Sequence, residues 1–385
     1  MKYKVENISF ATLALILAII PLLLELNLLA GGSTVIFIGK CMSYAIVAIG
    51  IDLIWGYTGI LSLGHGLYFG LGAYGMAMYL KLVSTGGQIT DFMHIGGLEE
   101  LPFIWTLFKY LPNTLFFMIA IPALVAFLVG YVIFKNRVKG VYFSIISQAL
   151  TWAVYSIFIS LSPYTNGNVG ITGIKSLFGS VKGDANRANM YLLFYVTLGI
   201  LILTYVIAKF LTQRKFGKIL IAIRDGENRT YFSGYNVCLY KTFIYVLSAI
   251  ITAFAGAIFV NFNGSITPSE MTIEFSIMMV IWVAVGGRGT IIGAVLGAFI
   301  INIGQYNLSS GIFVEIWQYI IGAIFTLTIL FFKGGLVGLI SEQSPILIKK
   351  FQQKQEQKQE QEQKQEHKQT KQKSEQIIIT KPKEV

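Results

Sequence analysis

Apolar residues run in long blocks along this chain, separated by shorter stretches that are polar, basic or rich in glycine. A bilayer-spanning helix needs about 20 mostly apolar residues, because each residue advances about 1.5 Å across a hydrocarbon layer of roughly 30 Å. Such blocks fall at 8–29, 35–55, 60–80, 114–134, 141–161, 190–210, 242–262, 273–286, 290–305 and 316–332. The eighth and ninth are short and read either as half-helices or as one broken unit. The pattern predicts an all-α, polytopic membrane helix bundle of about ten spans. The first block is long and lacks a small-residue cleavage site, so it reads as a retained helix rather than a signal peptide.

Composition supports the same class. The 385 residues are 55% hydrophobic and 13% charged, with mean hydropathy +0.66, against about 25% charged in an ordinary soluble domain. The net charge of +11 does not point to nucleic acid, because the basic residues sort by side. Lys2, Lys4, Lys135, Arg137, Lys139, Arg214, Lys215, Lys218, Arg224, Arg229, Lys241, Arg288, Lys333, Lys349 and Lys350 all fall on one side of an even-numbered bundle. The other side holds Asp91, Glu99, Glu100, Glu270, Glu274 and Glu315, with Lys81, Lys109, Lys175, Lys182 and Arg187 as exceptions. The positive-inside rule then puts both termini in the cytoplasm. Cys41 and Cys238 offer neither a disulfide framework nor a metal motif.

Residues 1–340 read as one membrane domain. From about Glu342 the chain becomes a Gln/Lys/Glu tract that has no apolar surface to bury, so 341–385 reads as a cytoplasmic tail, disordered or at most a solvated helix. The long loops 81–113 and 162–189 are rich in turn formers and suit the mouth of a pathway or a partner's docking place.

The stretch DLIWGYTGILSLGHGLYFGLGAYGMAMYL, from Asp52 to Leu80, carries the most information. A membrane helix tolerates so many glycines only where backbones approach closely or where the helix breaks beside a cavity. Gly66, Gly70, Gly72 and Gly75 leave a small-residue face, and Ser62, His65 and Tyr68 a polar one suited to a small polar solute. His65 has two readings: a neutral tie between helices, or a pathway group. Asn166, Asn168 and Thr172 in NGNVGITGI offer hydrogen bonds to a solute, or simply form turns. Glu274 and Trp282 are further pathway candidates, with core packing the alternative for Trp282. Gly289, Gly293 and Gly297 are spaced for small-xxx-small helix packing. The loop 213–241 has an apolar stripe, Ile219, Leu220 and Ile223, followed by Arg224, Asp225, Glu227, Asn228 and Arg229. It reads either as a helix docking into a soluble partner or as a loop on lipid headgroups.

Several ordered segments resemble one family. GYTGILSLGHG followed by FGLGAY is similar to the permease subunits of branched-chain amino acid ATP-binding cassette importers. DLIW, GMAMYL and PSEM…IWVAVGGRGT resemble that family's urea-importer branch more closely, and the likeness covers roughly residues 35 to 340. FGKILIAIRDGENRTYFSGYNVCLYK looks like the family's cytoplasmic coupling segment, with Gly226 where the urea branch more often has alanine. The resemblance implies that Arg224, Asp225, Glu227, Asn228 and Arg229 contact the ATP-hydrolysing subunit. FFKGGLVGL at 331–339 lacks the proline of the family's usual FFPKGLVGL, which implies a less abrupt helix end.

What the resemblance implies as a whole is a plasma (inner) membrane permease that moves urea, or a close short-chain amide, by alternating access. Its expected partners are a second homologous permease, two ATP-binding subunits, an extracytoplasmic solute-binding protein and membrane lipid. Branched-chain amino acids are the rival solute within the family, and a passive urea or amide channel is the rival outside it. The chain has no G-x-x-x-x-G-K-[ST] motif, so ATP and Mg are expected in the partner subunits, and neither a cofactor, a metal nor a catalytic constellation is expected here.

Overall fold

The computed structural model describes residues 2–26, 32–138, 140–179, 187–309, 316–331 and 334–338. Met1–Leu336 form one compact unit, and a second, Val337–Val385, lies almost wholly outside the described residues. So do the expected tail, Lys139, Lys182, Glu315, Lys333 and the point where the missing proline bears on the last helix.

The described chain is helical, with isolated bridges but no strand. In order the helices are α1 (Lys2–Glu25), α2 (Gly32–Thr58), α3 (His65–Ser84), α4 (Asp91–Ile95), α5 (Phe103–Thr106), α6 (Leu111–Lys135), α7 (Val141–Ser160), α8 (Ser162–Thr165), α9 (Arg187–Gln213), α10 (Lys215–Phe232), α11 (Val237–Asn263), α12 (Ile273–Gly286), α13 (Ile291–Ser309) and α14 (Trp317–Phe331). Seven are long and apolar enough to cross a membrane: the helical segments Glu6–Glu25, Gly32–Thr58, Leu111–Lys135, Val141–Ser160, Arg187–Gln213, Val237–Asn263 and Ile291–Ser309. This is the polytopic all-α bundle that the apolar blocks predict. The glycine-rich α3 and the shorter apolar α12 and α14 occupy the other three blocks.

α2 and α11 form the centre. Both are apolar nearly all round and buried over most of their length, as expected of helices surrounded by protein. α3 crosses α11 at backbone contact, where a Cβ on Gly72 would strike the carbonyl of Ala253 and one on Gly256 that of Phe69. α7 lies at the edge. Its Ser144, Ser147 and Thr151 turn inward while Val141, Tyr142, Ile145, Ile146, Trp152 and Ile157 stay exposed.

The third predicted span needs correction. The apolar block 60–80 is not helical from its start: α2 continues to Thr58, residues 59–64 are non-helical, and α3 begins at His65. Gly59 takes φ +78° and its amide bonds the Trp55 carbonyl, closing α2 in the left-handed conformation that glycine adopts without a Cβ clash. The chain then turns back into the bundle. A second break follows α11 at Gly264 (φ +73°) and runs to Thr272, where α12 starts with the Thr272 hydroxyl capping the Phe275 amide.

The basic segments gather at one end. Arg137 stacks on Tyr231, Lys241 pairs with Glu227 at 2.7 Å, and Arg224 and Arg288 both reach the end of α2. At the opposite end Lys40 bonds Asn263 and Lys81 bonds the Thr172 carbonyl.

Candidate functional site

α3 and α12 both begin inside the bundle. Ser248 sits eleven residues into α11 and Gly50 eight residues before the end of α2, on the order of 12–16 Å from the basic end. His65 bonds Ser248, which in turn bonds the Gly50 carbonyl, so α3 starts near mid-depth. Gly66 meets Ser276, Thr272 and Glu270, which brings the first turn of α12 to the same place. A helix start carries amides without intrahelical acceptors, and buried ones need partners. Here they are serines. Leu63 N–H donates to Ser147 Oγ (3.1 Å), Gly66 N–H donates to Ser276 Oγ (3.0 Å), and the Ser144 hydroxyl donates to the Leu61 carbonyl (2.7 Å).

The side chains around this start form a closed polar cluster. The Ser248 hydroxyl donates to the Gly50 carbonyl at 2.5 Å, so it has no proton left for the histidine. His65 Nε2–H therefore donates to Ser248 Oγ (2.8 Å), and Nδ1 accepts from the Ser62 hydroxyl (2.9 Å). This is the neutral tautomer, tying α3 to α11 and α2. It is the helix-tying geometry of the two readings open for His65. Tyr68 donates to the Tyr245 hydroxyl at 2.8 Å, and both rings stand edge-on to His65.

The other candidates lie elsewhere. Asn166 occupies a left-handed turn and its side chain bonds the Gly170 carbonyl (2.8 Å); Asn168 and Thr172 are exposed. Their loop is fastened to the second break by Ile171 and Ile266, whose backbones exchange bonds of 2.9 Å each, and by Ile174 N–H to the Gly264 carbonyl. Glu274 is exposed. Trp282 is buried and lines a 740 Å³ cavity between α2, α9, α12 and α13. Its ring packs against Tyr44 (4.8 Å between centroids) and Phe275 (6.2 Å), and its indole N–H has no acceptor among the described residues. α12 thus shows two faces: Phe275, Met278 and Trp282 to the cavity, Ser276 to the start of α3.

Among the packing glycines, Gly66 faces Ser276 and Gly70 faces Met271, while Gly293 and Gly297 touch the Gly286 and Trp282 backbones, joining α12 to α13. Gly289 is in the turn before α13, not on its face; its φ is +78° and its N–H bonds Asp52 Oδ1 at 2.7 Å.

The coupling candidates divide as well. α10 bends at Gly226 (φ −168°, ψ 78°), and its stripe, with Leu220 and Ile223 buried, packs against the chain's own helices. Arg224, although exposed in part, donates from Nη1 to the Gly56 carbonyl (2.8 Å) and from Nε to Asp225 Oδ1 (3.0 Å), and Glu227 pairs with Lys241. Asp225, Asn228 and Arg229 remain exposed beside Phe232.

Sequence reading missed Ser144, Ser147, Tyr245, Ser248 and Ser276. Ser144, Ser147 and Thr151 carry a signal of their own, a polar stripe at helical spacing in an otherwise apolar block. Asp52 in α2 also went unremarked, although an ionisable side chain within a span is a functional candidate by default.

Membrane-length helices around two broken ones, with polar side chains turned to the interior, define a multi-pass membrane protein of the transport class. The chain belongs to the family of permease components of branched-chain amino acid transport systems, whose model matches residues 33–329. It is similar to the high-affinity branched-chain amino acid transport system permease protein LivM of Salmonella typhimurium (22% identity, covering 78% of this chain and 69% of that one). The probable LivM of Methanocaldococcus jannaschii is 24% identical over 81% of this chain and 94% of its own. The ribose import permease protein RbsC of Haemophilus influenzae is 24% identical over 78% and 84%. No solved structure matches the chain.

Proposed function

We propose that this chain is the membrane permease subunit of an ATP-binding cassette importer that carries urea, or a close short-chain amide, inward by alternating access. The observation that carries the reading is the meeting of two helix starts inside the bundle, lined by Ser62, Ser147, Ser248, Ser276, His65 and Tyr68. Hydroxyls, an imidazole and a phenol suit a neutral solute rich in donors and acceptors. The DLIW…GMAMYL and PSEM…IWVAVGGRGT wording favours urea within the family. In this reading the 740 Å³ cavity is the outward chamber, Trp282 offers its N–H to the solute's carbonyl, and α12 is the wall that moves.

The basic end is cytoplasmic in this reading, with both termini there, and the membrane is the plasma (inner) membrane. ATP and Mg act in two separate ATPase subunits, which dock against the exposed side of α10 at Asp225, Asn228 and Arg229. A second homologous permease and lipid cover the apolar flank of α7, and an extracytoplasmic solute-binding protein delivers to the opposite end, where Asn166, Asn168 and Thr172 lie.

A second reading, branched-chain amino acids as the solute, is favoured by the LivM proteins among its relatives. One experiment separates the two. The full transporter in proteoliposomes is expected to accumulate labelled urea only with ATP, and excess leucine is expected not to compete. Leucine uptake without urea uptake would transfer the assignment to the second reading. Rapid urea passage through the chain alone would make it a channel.

A further inference from the structure

The end of α2 is held from two directions by arginines of two different segments. Arg224 of α10 donates from Nη1 to the Gly56 carbonyl (2.8 Å). Arg288, in the turn between α12 and α13, donates from Nε to the Trp55 carbonyl (3.2 Å) and lies over the Trp55 ring, 5.0 Å from its centroid. Carbonyls of a helix's last turn lack intrahelical donors; the Gly56 carbonyl takes Arg224, the Trp55 carbonyl takes Arg288 in addition to the Gly59 amide, and the helix dipole favours cations at this end. Asp52, one turn back, fixes the arrangement by accepting the Gly289 N–H at 2.7 Å. Its other oxygen is buried without a hydrogen-bond partner among the described residues. A Cβ on Gly56 would strike both Asp52 and the Gly289 amide, so the two segments meet at a place that only glycine keeps open. Three residues beyond Gly56 the chain leaves the helix for 59–64, the stretch whose amide and carbonyl groups sit in the serines of α7.

We propose that Arg288 and Arg224 are positioning residues that form a joint on α2, through which movement of α10 and of the α12–α13 turn reaches the 59–64 stretch and the His65 cluster. The proposal rests on the importer reading. The start of α12 meets the start of α3 through Ser276, and the turn after α12 meets the end of α2 through Arg288, so the two ends of the moving wall flank the 59–64 stretch. The unpaired Asp52 oxygen gives either guanidinium a second position within the same pocket of charge, the kind of discrete alternative arrangement that switching elements use.

The test uses the assembled transporter with parent chain, Arg288→Ala and Arg288→Lys. Three quantities are read: solute uptake, ATP hydrolysis by the complex, and amide hydrogen exchange of residues 59–66 in the full chain. In Arg288→Ala, uptake per ATP hydrolysed is expected to fall about tenfold or more, and exchange at 59–66 to speed up about tenfold, while the amides of α10 keep the parent's rates. Arg288→Lys restores the charge without the fork and is expected to fall between the two. Parent-like uptake per ATP, or parent-like exchange at 59–66, overturns the joint. A proportional fall of uptake and hydrolysis overturns it too, since that marks lost docking. If Arg288→Ala does not fold, Arg288→Lys decides alone, and parent-like behaviour in it counts against the joint. Failure of the importer reading shows separately, as a parent complex with no ATP-driven uptake, and the exchange arm still decides the joint in that case.

Discussion

The two breaks in the helical bundle, 59–64 and 264–272, are built from the same parts and anchored in different ways. Each follows a long buried helix closed by a glycine at positive φ, and each returns the chain to the interior to start a new helix. The first is fixed by side chains: serines on α7 and α11, and arginines from α10 and the α12–α13 turn. The second is fixed mainly by backbone, through the bonds of Ile171 and Ile174 to Ile266 and Gly264, with a local box in which Glu270 accepts from Thr267. Side-chain anchors exchange partners at modest cost, whereas a backbone pair holds one register. Under the proposed importer reading, movement falls to the first break and support to the second.

The largest effect is expected where the first break is tied most tightly. In His65→Leu, Ser62 and Ser248 lose a shared partner in a buried place. Ser248 keeps its bond to the Gly50 carbonyl and loses only the one it accepts, about 0.5–1.5 kcal/mol, while the Ser62 hydroxyl is left without its acceptor at about 1–3 kcal/mol, so the two losses together cost about 1.5–4.5 kcal/mol, which a thermal melt in detergent would show as a clear drop. An unchanged melt would mean that the hydroxyls repair the cluster themselves and that the break is looser than its bonds suggest.

Next in size is the contrast of two arginines on α10. Arg224→Glu sets a carboxylate against the Gly56 carbonyl and removes a charged hydrogen bond worth about 1.5–3 kcal/mol, so coupled uptake is expected to fall about tenfold or more with the ATPase still bound. Arg229 is exposed, and Arg229→Glu is expected to weaken co-purification of the ATPase. Loss of ATPase binding in Arg224→Glu alone would return Arg224 to the docking face that family resemblance implies and cut it from the joint.

The first break also shows where reading the sequence stops. Hydropathy located the seven membrane-length helices among the described residues, because a run of apolar residues at about 1.5 Å per residue is a length measurement, but not the 18-residue α10. It misplaced the start of α3 because GILSLG is as apolar as a helix, and hydropathy does not register the conformation of a buried strand of chain. The polar candidates Ser62, His65 and Tyr68 were legible because they stand beside glycines. Ser248 and Ser276 were not, since a single serine in an apolar helix has no spacing to betray it, and its meaning comes from a contact more than 180 residues away. Arg224 was legible as a charge near a stripe, but its direction depends on the bend at Gly226.

A smaller effect is expected at the second break. Ile171→Pro removes the N–H that donates to the Ile266 carbonyl and leaves its neighbours in place. One lost hydrogen bond and the ring's strain cost about 1–3 kcal/mol. If this break is support, uptake falls about fivefold while ATP hydrolysis per complex and exchange at 59–66 stay at the parent's values. Faster exchange at 59–66 would show that the breaks move together and would erase the distinction between them.

The smallest effect sharpens the role of the wall between cavity and cluster. Trp282→Phe keeps an aromatic ring against Tyr44 and Phe275 and deletes an indole N–H that has no acceptor among the described residues. Removing an unpaired buried donor relieves a desolvation cost, while the smaller ring leaves some empty volume, so the two terms oppose each other and stability is expected to change by less than about 1 kcal/mol. The functional consequence differs. If the N–H faces the solute during entry, its loss removes a neutral hydrogen bond of about 0.5–1.5 kcal/mol, and the half-saturating urea concentration rises about two- to twelvefold at unchanged maximal rate. Uptake with the parent's concentration dependence would show that Trp282 serves only to pack α12 against α2, and that the cavity admits no solute as deep as the indole.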